Sequence, residues 1–310
     1  MNPEDRADEV ADPAQPNGGD EPPLLMPAPL TTSPELPPLA APPRRRWLLP
    51  LVLFVATCLS TYWLGGSVYA IPLMLILGAH EMGHFLQAWR YRVPASFPYF
   101  IPMPLSPIGT MGAVIAMRGR VADRRALFDI AITGPIAGLV PAVVLTVVGL
   151  KLSRVVSLEG IRGIPILGEP LLFKLLAYWI YGPLGDEVDI LLHPIGFAGW
   201  VGIFITALNL IPIGQLDGGH ILYALLRRKA HPVAVMLLGT AAASVVVLSV
   251  WNPSVWGWLV MITLLFVMGP KHPPTADDHV PLGRWRVLLG WLILLFVPLG
   301  FTPTPFMFRR

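Results

Sequence analysis

The sequence predicts an all-α integral membrane protein with six to seven transmembrane helices. Hydrophobic residues make up 54% of its 310 residues and charged residues only 13%, whereas soluble domains carry about 25% charged residues. The mean hydropathy is +0.63. Apolar segments, most of them close to the roughly 20 residues that cross a bilayer, occupy 47–64, 69–88, 126–150, 196–213, 233–251, 255–268 and 285–301. The short segment 255–268 leaves the count between six and seven.

Residues 1–46 precede the first apolar segment and contain 12 of the 35 prolines and 8 of the 19 acidic residues. This composition predicts a disordered tail, because a segment with so few apolar residues cannot bury a core. It lacks the basic start and short apolar core of a secretory signal peptide, so we expect the first apolar segment to be retained as an anchor. Residues 47–310 then form one polytopic membrane domain. The single cysteine, Cys58, is expected to serve packing only.

The distribution of basic residues between the apolar segments predicts the orientation. With the tail in the cytoplasm, fifteen Lys and Arg residues fall on the cytoplasmic side and six on the other. Since cytoplasmic loops are enriched in Lys and Arg, this favours a cytoplasmic N-terminus. We therefore expect a multi-pass protein of a bacterial cytoplasmic membrane, with the C-terminal end of segment 69–88 toward the cytoplasm.

That second segment contains the pentapeptide His80-Glu81-Met82-Gly83-His84. Residues i and i+4 lie on one face of a helix, so His80 and His84 can bind one metal ion while Glu81 reaches a water molecule beside it. Glu81 is the only carboxylate between Glu35 and Asp123, and a charge at such depth is costly to keep. The spacing indicates a zinc hydrolase, although a proton relay or a transporter site would also place His and Glu inside the membrane.

A third ligand is expected because catalytic zinc normally has three protein ligands. In the segment 209–220, Pro212 interrupts an apolar run and Asp217 is followed by two glycines. Proline ends a helix and glycine permits a tight turn, so the Asp217 carboxylate can point back into the bundle at the same side as His84. The alternative is that Asp217 is a turn residue or the N-cap of a helix over 221–228. The pairing with the His80 segment favours the ligand interpretation.

The two motifs together resemble those of the site-2 protease family of intramembrane zinc metalloproteases, peptidase family M50. The resemblance covers about residues 69–228 and implies a three-helix catalytic core that binds one zinc ion through His80, His84 and Asp217. It also implies that Glu81 is the catalytic base and that Asn209 lies close to the scissile peptide bond. For Asn209, hydrogen bonding between helices is the alternative.

Finer motifs resemble the chloroplast and cyanobacterial branch of that family, namely Phe97-Pro-Tyr-Phe-Ile-Pro102, Gly109-Thr-Met-Gly112 and Gly134-Pro135-Ile-Ala-Gly138. The chain departs from the wider family at Gly138, where many members carry Asn. Its longest loop between apolar segments, 151–195, is about 45 residues, too short for a PDZ domain. No cystathionine-synthase-type regulatory pair follows the last segment, so other features must select the substrate.

Residues 96–117 predict a small membrane-associated β-hairpin or strand. Four prolines and paired glycines precede the apolar run 112–117. A membrane helix hides its carbonyl groups, so a protease must hold its substrate extended. A substrate strand could pair with Gly112, Ala113, Val114 and Ile115 by strand addition. The alternative is a loop on the cytoplasmic face.

Other polar residues receive structural interpretations. Asp129 is expected to stabilise a helix N-terminus rather than to support a metal ligand. His193 and His220 have no ligand spacing and are expected to form interface or local hydrogen bonds. The aromatic segment 171–181 is typical of an interfacial helix that could control substrate entry.

The predicted function is regulated intramembrane proteolysis by a zinc endopeptidase. The expected partners are a membrane-protein substrate with a transmembrane helix and a regulatory membrane protein, and no nucleic acid is expected. A transporter is disfavoured because the chain has no second copy of the His80–His84 pentapeptide, as paired repeats would supply. A catalytically silent scaffold is disfavoured because Glu81 and all three candidate ligands are present.

Overall fold

A computed structural model describes residues 47–116, 123–157, 165–185 and 187–308. The tail 1–46 and Met117 of the predicted β-run lie outside these residues. The helices are α1 (Leu48–Arg90), α2 (Arg124–Leu152), α3 (Leu171–Tyr181), α4 (Pro194–Asn209), α5 (Asp217–Leu226), α6 (Ala230–Ser249), α7 (Trp258–Met268), α8 (Arg284–Leu294) and α9 (Phe296–Gly300). The strands are β1 (Tyr99–Met103), β2 (Gly109–Val114), β3 (Arg154–Ser157), β4 (Pro165–Leu167), β5 (Val188–Leu191) and β6 (Phe306–Phe308).

Helix α1 reverses direction at Gly65 and Gly66, where the backbone leaves the helical region. Gly66 has φ +66°, a conformation that glycine adopts without steric cost. Ser60, before the break, donates a hydrogen bond to the Gly109 carbonyl, and Tyr69, after it, donates one to the Ile108 carbonyl. At the other end of the β1–β2 hairpin, Phe54 packs against Phe100 and Phe85 packs against Phe97. The two halves of α1 therefore run antiparallel along the hairpin, as expected for the separate segments 47–64 and 69–88.

Helix α2 packs antiparallel against the second half of α1 and against α4. The contacts depend on small residues, because a Cβ added at Gly149 would lie 2.0 Å from the Gly196 nitrogen and one at Gly199 would lie 2.4 Å from Thr146 Oγ1. Near the other end of α2, a Cβ at Gly83 would lie 2.5 Å from the Thr133 carbonyl oxygen. Small residues let helix backbones approach closely. Helix α2, helix α4 and the second half of α1 thus form a tight three-helix core.

The short strands lie at the edges of this core. Strands β1 and β2 form an antiparallel hairpin with a register shift between Phe100 and Pro102. Strand β3 pairs with β5, and β4 pairs with β6, both antiparallel. Ser153 ties the end of α2 to the start of α4, because its hydroxyl accepts a hydrogen bond from the His193 amide.

Among the described residues, three helical stretches are long and apolar enough to cross a membrane: Leu48–Arg90, Arg124–Leu152 and Asp217–Ser249. The helices Leu171–Tyr181, Pro194–Asn209 and Val255–Met268 are apolar but shorter. The molecule is therefore a mainly helical membrane protein with a small β-hairpin. The count of six to seven spans stays a prediction.

Candidate metal centre

The imidazole rings of His80 and His84 meet the Asp217 carboxylate at one point in the three-helix core. The two Nε2 atoms lie 3.1 Å apart. Asp217 Oδ2 lies 3.1 Å from His80 Nε2, and Oδ1 lies 3.2 Å from His84 Nε2. Around a tetrahedral zinc ion with bonds of about 2.0–2.1 Å, ligand atoms are separated by roughly 3.3 Å. These three side chains form a group that could hold one metal ion.

The orientation of His84 is fixed by α2. Its Nδ1 donates a hydrogen bond of 2.8 Å to the Ile130 carbonyl, so Nε2 carries the lone pair that faces the other two donors. Gly134 provides the space for the ring, because an added Cβ would lie 2.1 Å from His84 Nε2. A Cβ at Gly138 would lie 2.9 Å from the His80 Cβ. The glycine found at position 138 instead of Asn therefore leaves room for His80.

Asp217 reaches the histidines because the chain turns sharply between α4 and α5. Gly214 has φ +60°, and a Cβ at Gly218 would lie 1.9 Å from the Leu210 carbonyl oxygen. Only glycine permits so close an approach of the first turn of α5 to the end of α4. Helix α5 begins at Asp217, and its N-cap is Leu216. The alternative interpretation of Asp217 as an N-cap is therefore wrong.

Glu81 is buried beside these donors with no partner for one of its oxygens. Glu81 is only 3% exposed. Its Oε2 has no hydrogen-bond partner among the described residues. A buried carboxylate is costly unless it is paired. An unpaired acid next to three converging candidate metal ligands fits a site that binds a metal ion and water.

A cavity of about 100 Å³ contains the polar cluster and extends to β2. That volume is large enough to hold water beside the polar cluster. The predicted substrate contacts Ala113, Val114 and Ile115 line it, as does Asn209, whose Nδ2 lies 3.4 Å from His80 Nε2. Gly112 does not line the cavity, and its amide donates to Thr110 Oγ1. The structure thus brings every predicted site residue except Gly112 to one cavity.

Asp129 does not have the role that the sequence suggested. Helix α2 begins at Arg124, and Asp123 is its N-cap, accepting a hydrogen bond of 2.7 Å from the Ala126 amide. Asp129 instead forms a two-point ion pair with Arg286 of α8 and accepts a hydrogen bond from the Tyr91 hydroxyl. The expectation that Asp129 stabilises the helix N-terminus is wrong, because the helix starts five residues earlier.

Of the two other histidines that the sequence singled out, His193 forms a local hydrogen bond, whereas His220 bonds to a distant residue and also lines the cavity. His193 caps α4 by accepting from the Ile195 amide. His220 Nδ1 lies 2.6 Å from Nε2 of His272, which the sequence did not single out. A signal for His220 was present, since it follows Asp217 by three residues and so shares its helix face. Nothing in the sequence linked it to His272, 52 residues away.

Comparison with known proteins places the chain in a family. The profile of Peptidase family M50 matches residues 68–250, more than half of the chain. The chain is 31% identical over 240 residues to "Probable zinc metalloprotease EGY2, chloroplastic" of Arabidopsis thaliana, covering 77% of the chain and 42% of the relative. It is 32% identical over 248 residues to the protein of that name from Oryza sativa subsp. indica, covering 78% and 44%.

A third relative is "Probable zinc metalloprotease EGY1, chloroplastic" of Oryza sativa subsp. japonica, 30% identical over 270 residues, covering 83% of the chain and 43% of the relative. The chain thus spans less than half the length of these curated relatives. No solved structure gives a significant match. The predicted resemblance to the chloroplast-type branch is confirmed by these relatives. The matched region includes His80, His84 and Asp217. Because the profile covers more than half of the chain, the chain belongs to peptidase family M50.

Proposed function

We propose that this chain is an intramembrane zinc endopeptidase that hydrolyses a peptide bond in or near a transmembrane segment of a membrane-protein substrate. The observation that carries the proposal is the convergence of His80, His84 and Asp217 beside the unpaired Glu81. The relatives named as zinc metalloproteases support zinc as the metal and proteolysis as the activity.

In this proposal His80, His84 and Asp217 hold one zinc ion, and their spacing of 3.1–3.2 Å suits it. Zinc, when bound, supplies a Lewis acid that polarises a carbonyl group and acidifies water. Glu81 Oε2 accepts the proton that the attacking water loses and later delivers it to the leaving amine nitrogen. Asn209 Nδ2 donates a hydrogen bond to the oxygen of the scissile carbonyl as negative charge develops on it.

The substrate is proposed to lie extended along β2. Within the described residues, β2 pairs with β1 on one side only. The cavity lies against Ala113, Val114 and Ile115, so a substrate strand added there would bring its backbone to the metal centre. Strand addition also satisfies the backbone groups that an unwound membrane segment exposes.

The membrane topology belongs to this proposal too. We expect six to seven spans with the N-terminus and the metal centre toward the cytoplasmic side, on the basis of the basic residues. The relatives are named as chloroplast proteins, so they do not support the expected bacterial cytoplasmic membrane. A regulatory membrane partner stays a prediction.

The geometry disfavours a proton relay as the alternative function. A relay requires its groups to follow one another across the membrane, so that each passes a proton onward. Here the Nε2 atoms of His80 and His84 face each other and share a single carboxylate, Asp217. Converging donors suit one bound ion better than a pathway.

The first test measures zinc and cleavage in purified protein. Wild-type protein is expected to contain about one zinc per chain, and His80→Ala and Asp217→Ala are expected to lose it. Glu81→Gln should keep the zinc and lose cleavage, since it removes only the proton acceptor. Met82→Leu, at an exposed position of the same helix turn, is the matched control and should retain both. Full zinc in both ligand variants would overturn the ligand assignment.

The substrate can be found by comparing the termini of membrane proteins in cells that carry wild-type protein and in cells that carry Glu81→Gln. New termini within or beside transmembrane segments, present only with the wild-type protein, would identify substrates. If the two sets of termini are identical in growing and stressed cells, the proposed proteolysis is wrong.

A further inference from the structure

His220 has one ring nitrogen tied to a neighbour and the other directed to the cavity. Its Nδ1 lies 2.6 Å from His272 Nε2, and the ring lines the same cavity as Glu81 and Asp217. Within the described part of the chain, His220 Nε2 makes no hydrogen bond. It is also not fully enclosed by protein atoms. That nitrogen is therefore accessible from the cavity, yet the proposed reaction does not use it.

His272 determines which hydrogen-bonding role this nitrogen has. His272 Nδ1 donates to the Pro273 carbonyl, and a carbonyl can only accept. His272 is buried under the Tyr223 ring, at a centroid distance of 4.4 Å, and burial lowers the pKa of His272 to about 4. A neutral His272 has a single N–H, so its Nε2 is an acceptor and His220 Nδ1 must donate to it. Neutral His220 then presents a lone pair at Nε2.

The proposed binding mode leaves one edge of the substrate without partners. An extended segment carries N–H and C=O groups on both edges, and β2 can pair with only one of them. Backbone groups in a poorly hydrated site need a partner. Apart from β2, Glu81 and the candidate metal ligands, the polar side chains that line the cavity are those of Asn209, Gln215 and His220. β2 packs on α1, whereas His220 belongs to α5, which packs on α2 and α6.

We propose that His220 Nε2 accepts a hydrogen bond from a main-chain N–H on the substrate edge that faces away from β2, and that His272 is the positioning residue that holds His220 in this role. The inference rests on the proposed proteolysis and deepens it. His220 becomes a residue that recognises the extended backbone, so it contributes to substrate binding without selecting a particular side chain.

The test removes the donor and the acceptor separately. The probe is a synthetic peptide that spans the cleavage site of a substrate found in the terminus comparison, with single amides replaced by esters along the segment. An ester lacks the N–H. One ester position is expected to lower kcat/KM about tenfold with wild-type protein. In His220→Asn, which keeps the side-chain link to His272 but has no polar atom at the Nε2 position, that same ester should have little further effect.

A second variant and a binding measurement keep the test independent of turnover. His220→Gln restores a polar oxygen near the Nε2 position and should recover part of the loss. In a Glu81→Gln background, the same peptide should bind about tenfold more weakly when His220→Asn is added, with zinc content unchanged. If every ester has the same effect in wild-type protein and in His220→Asn, the hydrogen bond does not exist and the inference is wrong.

His272 is tested by rescue. His272→Ala should weaken peptide binding, whereas His272→Gln, whose oxygen can accept from His220 Nδ1, should restore it. Equal binding by these two variants would overturn the positioning role. If wild-type protein with zinc bound cleaves no peptide, the proposed function itself is wrong. If His220→Asn cleaves the peptide as well as wild-type protein does, only this inference is wrong.

Discussion

At the scale of single residues, two glycines of α2 provide the space in which the paired imidazoles lie. Gly134 faces His84 and Gly138 faces His80, and neither position has room for a further carbon atom without displacing a ring. The Gly-Pro-x-x-Gly sequence of this helix is thus part of the metal centre, although glycine contributes no donor atom. Its contribution is a close packing of α2 on α1.

We expect Gly134→Ala to lower zinc affinity by 10- to 100-fold, the usual effect of disturbing the groups that orient metal ligands. The new Cβ would lie 2.1 Å from His84 Nε2, so the ring must rotate and lose its bond to the Ile130 carbonyl. Competition with a chelator of known affinity measures the change. Gly78→Ala is the control, because a Cβ there meets nothing within 4 Å. Equal zinc affinity in both variants would show that the space at Gly134 is not required.

The candidate ligands and Glu81 could be predicted from the sequence because their spacing reflects local helix geometry. His80 and His84 are one turn apart, and Pro212 and the glycines after Asp217 mark a local break in the helix. The His220–His272 pair could not be predicted, because it depends on the path of the loop 269–283. The same holds for the pairing of Asp129 with Arg286, 157 residues apart.

Among the secondary-structure elements, the apolar segments and the breaks near residues 65–68 and at Pro212 could be predicted from the sequence, but the tertiary contacts at their junctions could not. Segments 47–64 and 69–88 are the two halves of the 43-residue α1, separated by the break at Gly65 and Gly66. A straight helix of that length would extend about 65 Å, twice the hydrocarbon thickness of a bilayer. The reversal is therefore what lets both halves lie beside the hairpin. The predicted β-hairpin is present, since β1 and β2 pair.

The ion pair between α2 and α8 is expected to stabilise the end of the molecule nearest the metal centre. Arg286 Nε and Nη2 donate to the two Asp129 oxygens at 2.7 and 2.9 Å. Arg286→Gln should lower the free energy of unfolding by about 1 kcal/mol, a modest value because the Arg286 side chain is 36% exposed. Thermal unfolding in detergent measures this, with the exposed Arg284→Gln as control.

A double-mutant cycle separates this pair from other effects of the substitutions. Asp129→Asn combined with Arg286→Gln should cost less than the sum of the two single variants, because each single change already removes the pair. Additive losses would mean that the two side chains do not stabilise the protein through each other.

Across the molecule, the described basic residues between the apolar segments lie at two separate ends. Arg124 donates to the Leu225 carbonyl at the end of α5, and Arg125 donates to the Pro281 carbonyl, so the start of α2, the end of α5 and the loop 269–283 meet at one end. This is the end closer to the metal centre, because His84 contacts Ile130 of α2 and His272 of that loop contacts His220. At the opposite end, Tyr181 donates to the Ser153 carbonyl. The described basic residues of the segments that meet at the end closer to the metal centre are Arg90, Arg92, Arg124, Arg125, Arg227, Arg228, Lys229, Lys271, Arg284 and Arg286.

This arrangement predicts which side of the membrane each end faces. Since the end with more Lys and Arg is expected in the cytoplasm, the metal centre is expected to face that side. His84 is six residues from Arg90, about 9 Å along the helix. Water and a released cytoplasmic fragment would then exchange through the same end of the molecule.

Single cysteines test this topology, because the chain has only Cys58 to remove. In a Cys58→Ala background, cysteines replacing the exposed Lys229 and Lys271 should react with a membrane-impermeant maleimide in inverted vesicles but not in intact cells. Cysteines replacing the exposed Arg154 and Lys174, at the opposite end, should show the reverse pattern. Labelling of all four from one side would mean that α2 and α4 do not cross the bilayer, and the reverse of both patterns would place the metal centre toward the opposite side.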